Sequence, residues 1–135
     1  MHLQRREAEA YPLYQRALAI DEKACGSDHP NVAADLCDIA NLFVKQRREA
    51  EAYPLYQRAL AIDEKACGSD HPNVAADLCD IANLFVKQGK LDEAMPLLEK
   101  ALAIRIKKLR EGHEHTVITK EWLEDWRIKQ AAPKG

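Results

Sequence analysis

At 135 residues, with 31% charged and 47% hydrophobic side chains, the chain has enough material for one modest core or a few small repeats. Apolar runs such as Leu42-Phe43-Val44 are too short to cross a bilayer, and Met1 to Glu7 lacks the apolar stretch of a secretory leader, so neither membrane insertion nor export is expected. A formal net charge of -2 argues against a nucleic-acid footprint.

One feature dominates. Arg5 to Gln46 recur without change as Arg47 to Gln88, and a diverged third copy begins at Gly89. A period of 42 residues reads as a stack of small units, each burying its apolar side against the next. The expected organisation is a single repeat domain over 1–135 with units 5–46, 47–88 and 89–130.

The first predicted helix, about 5–24, carries Leu13, Ala17, Ile20 and Ala24 on one side. The loop Cys25-Gly26-Ser27-Asp28-His29 follows. Gly26 is read as ending the helix, Ser27 or Asp28 as capping the next, and His29 as hydrogen-bonding across the turn. Cys, Ser, Asp and His together resemble chemistry, but a nucleophile and base must be held by separate rigid elements, which one local loop does not provide. The second helix, 30–45, starts on Pro30, where a missing N–H costs nothing. Its stripe is Leu36, Ile39, Ala40 and Phe43.

At the next junction Arg47 stands where the third copy has Gly89, and Glu49 where it has Leu91. Arg5 and Glu7 are the matching residues of the first copy. A non-glycine residue held left-handed costs roughly 1 kcal/mol, so these turns are expected to be strained or differently shaped. The helix over 48–66 is apolar on a wide side through Ala52, Leu55, Tyr56, Ala59, Leu60 and Ile62. Pro12, Pro54 and Pro96 recur inside this type of helix, and a bend or loosened turn is expected at each without breaking it. Small Ala40, Ala52 and Ala59 mark close helix approaches, with Phe43 and Tyr56 filling the spaces between.

Helices over 72–87 and 90–109 follow, the latter ending in Arg105, Lys107, Lys108 and Arg110, which complement the helix dipole. The final helix, about 115–130, replaces apolar repeat positions by Lys120 and Glu124. Its expected buried stripe is Ile118, Trp122 and Trp126 with Val117, making it a cap that covers the last core and turns charge outward.

The four cysteines, Cys25, Cys37, Cys67 and Cys79, arise by duplication, so their even number is no evidence for disulfides, and reduced cytosolic thiols are the default. Their spacing fits no zinc pattern, and His113 with His115 lacks a third ligand, so no metal is predicted. Metalloprotease, phosphate-loop and nucleophile-elbow motifs are absent, and no cofactor or enzymatic activity is expected.

Leu36, Ile39, Ala40, Phe43, Ala52, Tyr56 and Ala59 follow the small-and-large pattern of the tetratricopeptide repeat. The repeat length and the linker Gly-Ser-Asp-His-Pro-Asn-Val-Ala resemble the subclass found in kinesin light chains. The resemblance implies an all-α, right-handed superhelical solenoid of antiparallel helix pairs, about six helices long, that begins inside a repeat like a fragment of a longer array. It also implies a scaffold binding a protein or peptide in a concave groove lined by the first helix of each pair. Carried over residue by residue, that groove is Ala34, Cys37, Asn41, Val44 and Lys45, repeated as Ala76, Cys79, Asn83, Val86 and Lys87. Asn41 and Asn83 are the expected grips on a peptide backbone, with Lys45, Lys87, Asp38 and Asp80 selecting charge. Ala34 and Cys37 stand where a carboxylate clamp would need basic side chains.

The alternative is a structural or oligomerising segment of a longer array, or an engineered consensus-like array, with no ligand of its own. The bare strip Leu13, Ala17, Ile20 and Ala24 suggests head-to-head or swapped dimerisation. The expected location is cytoplasmic.

Overall fold

The computed structural model describes residues 2–132, with side chains from Ala8 onward. Six helices follow in order: α1 (His2–Cys25), α2 (Pro30–Lys45), α3 (Glu49–Cys67), α4 (Pro72–Lys87), α5 (Leu91–Leu109) and α6 (Glu114–Ala131). The fold is all-α, and no strand occurs among the described residues. The chain falls into two compact bodies, one of α1–α3 and one of α4–α6.

In the first body α2 packs against both α1 and α3. Val32, Ala33 and Leu36 of α2 join Ala59 and Ile62 of α3 in one buried cluster, with Leu18, Cys37 and Leu55 packed around it. Ala40 and Ala52 are fully buried, as close helix approach requires. Tyr11 of α1 lays its ring 5.6 Å from that of Phe43. In the second body α5 packs against α4 and α6. Leu84 and Leu98 are among the largest fully buried side chains there. Helices α1, α3 and α5 each run unbroken through their internal proline.

The helix starts differ from expectation in one respect. His29, not Ser27 or Asp28, is the N-cap of α2, its Nδ1 accepting from the backbone N–H of Asn31 at 3.0 Å. His71 caps α4 and His113 caps α6 in the same way. The backbone is still extended at His29, so a side chain at 27 or 28 lies too early to reach the free N–H groups of the first turn. Asp28 instead accepts an ion pair from Lys65 at the end of α3, and Asp70 one from Lys107 at the end of α5. Each helix pair is thus tied at its open end by one exposed bridge, worth at most about 1 kcal/mol.

Left-handed backbone occurs at two non-glycine residues among those described, Arg47 (φ 61°) and Arg110 (φ 75°). Arg47 occupies the position of Gly89 (φ 76°), and Arg110 that of Gly26 and Gly68. Of the two alternatives for Arg47, the structure takes the strained one. A Cβ at Gly89 would meet no atom within 4 Å, so the cost at these turns is intrinsic to the backbone, roughly 1 kcal/mol, and not steric. Arg5 lies inside α1 and forms no turn, while the side chain of Glu7 falls outside the described ones.

The buried stripe of α6 is also corrected. Thr116, Thr119, Leu123 and Trp126 are buried, whereas Val117, Ile118 and Trp122 are exposed. Trp122 reaches inward only by stacking on Trp126, with ring centroids 6.1 Å apart. Thr119 can be buried because its short hydroxyl is used locally: Thr119 Oγ1 donates to the carbonyl of His115 at 2.6 Å.

Candidate functional site

The groove residues expected from the sequence are distributed over α2 and α4, one set in each body. On α2, Ala34, Asn41 and Lys45 are exposed, and Cys37 and Val44 are half-buried. The Tyr56 hydroxyl donates to Asn41 Oδ1. That bond fixes the amide so that its nitrogen is the group left to offer a carbonyl of a partner. On α4, Lys87 is exposed, and Ala76, Asn83 and Val86 are half-buried. Position 98 holds a fully buried leucine where the preceding copy has Tyr56, so no hydroxyl from there orients Asn83. The two faces are chemically alike and differently constrained.

Cys79 departs from expectation. It is buried, and burial pushes its thiol up to about 11, outweighing the downward pull of Arg105 and of a hydrogen bond with Thr119. A neutral thiol enclosed by α4, α5 and α6 neither faces a partner nor reacts as a nucleophile. Beside this thiol Arg105 Nη1 donates to Thr119 Oγ1 at 2.6 Å, joining α5 to α6.

Residues that sequence reasoning did not single out lie one and two repeats earlier. Asp21 and Asp35 occupy the first-copy positions of Arg105 and Thr119, and Asp63 and Asp77, each buried, occupy them in the second. At the α1–α2 contact the Asp35 carboxyl is pushed up to about 7, first by burial, then by the hydrogen bond and charge of Asp21, then by the charge of Asp38. Two carboxyls can share a hydrogen bond only when one keeps its proton. The available signal was the joint replacement of Asp by Arg and of Asp by Thr at matching positions of the third copy.

The pH consequence has a definite sign. The Asp35 carboxyl ionises near 3.8 in the unfolded chain and near 7 in the folded body. Between these values the folded state holds a proton that the unfolded state has released. The stabilisation is therefore complete below the lower value and is lost as pH rises through the upper one. Asp35→Asn keeps the shape and supplies a permanent donor to Asp21. It is expected to exceed the parent by about 1–2 kcal/mol in urea denaturation at about pH 8 and to match it near pH 4. An equal difference at both pH values would contradict the shared proton.

His113 and His115 stack with ring centroids 5.3 Å apart, and His113 Nδ1 is engaged as the cap of α6. The thiols of Cys25, Cys37, Cys67 and Cys79 are all free of disulfides.

The comparisons agree with this architecture. The tetratricopeptide repeat model matches residues 1–65 and 36–107. No curated protein matches the sequence. A crystal structure of a Podospora anserina kinesin light chain with nearly identical TPR-like repeats is similar to 95% of the chain at 27% identity, with a TM-score of 0.79. BtubC (BKLC) from P. vanneervenii is similar over 91% at 25% identity, with a TM-score of 0.80. The chain spans 60% of the length of the first structure and 49% of the second.

Proposed function

Because the chain belongs to the tetratricopeptide repeat family, of the kinesin-light-chain-like kind, we propose that it is a protein-interaction module that binds a peptide or protein partner through the faces of α2 and α4. The supporting observation is the face of α2. Ala34 and Lys45 are exposed beside an Asn41 amide already oriented by Tyr56, so part of the entropy of ordering that side chain is spent before binding. Asn83 and Lys87 repeat the chemistry on α4 at the next copy. Each face offers its own amide to the carbonyl of a partner backbone. Lys45 and Lys87 favour acidic side chains on the partner.

The reading carries no catalytic step and assigns no cofactor. The cysteines recur with the repeat and need no disulfide to explain their number, which suits a reducing compartment, and we place the protein in the cytoplasm on that basis. No helix among the described residues is long and apolar enough to cross a membrane.

Affinity capture with the full chain, compared with Asn41→Ala/Asn83→Ala, tests the assignment. The double variant is expected to lose captured partners about tenfold, the loss of two modest hydrogen bonds. Equal recovery by both would remove these faces from the binding surface.

A further inference from the structure

The open face of α2 carries opposite charges on its two halves. Ala34, Asp38, Asn41 and Lys45 follow one another at spacings of four, three and four residues, which sets them in one narrow arc of the helix, and all four are exposed. Neither Asp38 nor Lys45 makes an ion pair among the described residues. Asp35 shares its proton with Asp21 at the α1–α2 contact, and Asp38 acts on it as a negative charge. At the other end the Arg48 guanidinium lies 4.3 Å from the centre of the Phe43 ring and pairs with Glu51, so Lys45 is the cation left to the face. Between the two charges stands the Asn41 amide, whose oxygen accepts from Tyr56 and whose nitrogen remains as a donor.

Resting on the assignment of this face as a binding surface, we infer that its occupant is a polyproline-II segment with a basic and an acidic side chain three residues apart, the basic one over Asp38 and the acidic one over Lys45. The spacing selects that conformation. Seven residues of α-helix separate the two charges, about 10 Å along the axis. In a polyproline-II helix residues three apart lie on the same side, about 9 Å from one another. A β-strand returns to one side after two or four residues, about 7 or about 13 Å, and fits less well. An α-helical partner matches the length at seven residues, but its interior carbonyls are bonded within the helix, whereas the Asn41 nitrogen needs an unbonded one.

The selection is strongest on α2. On α6 the matching positions hold Trp122, Asp125 and Lys129, with neither the acid nor the amide in its place. On α4 Asp80, Asn83 and Lys87 repeat the series, but Asp80 is half-buried and acts together with Arg105 on the Cys79 thiol. A cation of the chain itself already stands in that neighbourhood.

The probe is the peptide Pro-Pro-Arg-Pro-Pro-Glu-Pro-Pro with acetyl and amide ends, titrated into the full chain labelled with nitrogen-15 and read at the Asn41 side-chain amide. Saturable shifts are expected, with affinity falling about threefold when either charged residue of the peptide becomes glutamine. Lys45→Glu on the chain is expected to move the preference to a peptide with arginine at both positions. Asp38→Asn is expected to erase the difference between arginine and glutamine. Both substitutions fall at exposed positions, and an unaltered circular dichroism spectrum verifies the fold. Saturable binding at Asn41 that ignores the charges of the peptide, or that keeps its preference in Lys45→Glu, overturns this inference and leaves the face as a binding surface. An absence of shifts at millimolar peptide overturns it too, and the capture experiment with Asn41→Ala/Asn83→Ala then decides separately on the face itself.

Discussion

Leu36→Ala is expected to destabilise the first body by about 2–5 kcal/mol. Leu36 is 1% exposed and sits in the cluster where Val32, Ala33, Ala59 and Ile62 meet, ringed by Leu18, Cys37 and Leu55. The substitution removes the transfer energy of the lost carbons and adds the cost of a cavity. That cavity is hard to close because its walls belong to three helices, each held by its own backbone ladder. Chemical denaturation followed by circular dichroism reads the loss. Leu13→Ala is the internal control: the same residue type, 65% exposed, changes stability by no more than about 0.5 kcal/mol. A loss at Leu36 as small as at Leu13 would mean that α2 is not the shared wall between α1 and α3.

Ala52→Leu carries the second large effect, about 1–3 kcal/mol, and in the opposite steric sense. Ala52 is fully buried in α3, with its backbone N–H bonded to the carbonyl of Arg48 at 3.1 Å. No methyl group can be added there without moving the helix or forcing a neighbour off its rotamer. Thermal melting of Ala52→Leu beside Ala61→Leu, at an exposed position of the same helix, separates crowding from helix propensity. Equal melting temperatures for the two variants would refute the close approach of the helices.

Much of this was legible in the chain because helical periodicity is local. Leu36, Ile39, Ala40 and Phe43 lie within two turns of one helix, and they are buried as the spacing demands. The helix boundaries followed from the same signals, since Pro30 and Gly26 act on the backbone of their own neighbourhood. The cap was missed because preference for Ser or Asp at an N-cap says nothing about the residue at which this backbone turns helical. The orientation of α6 was missed by a fraction of a turn for a related reason. Its sequence offers Ile118 with Trp122 and Leu123 with Trp126 as rival stripes, and only α5 decides between them.

Groove chemistry was less legible still. Asn41 could be placed on its helix, but its bond to the Tyr56 hydroxyl joins residues on two helices. Cys79 shares its position in the repeat with Cys37, and it is the more buried of the two, beside the Arg105 guanidinium that the third copy introduces. The Asp21 and Asp35 carboxyls are marked only indirectly, by the joint replacement of both positions in the third copy, since each alone would be read as a solvated charge.

The sequence alone determined six helices, the translation step of the repeat and the apolar side of the repeated helices, because all three depend on interactions within a few turns of chain. The tertiary structure decided which of two identical faces is covered, why Leu13 and Ile20 are open to water while Leu55 and Ile62 are packed, and where a carboxyl keeps its proton. Burial and desolvation are properties of what lies opposite a side chain, and identical residues do not carry identical surroundings.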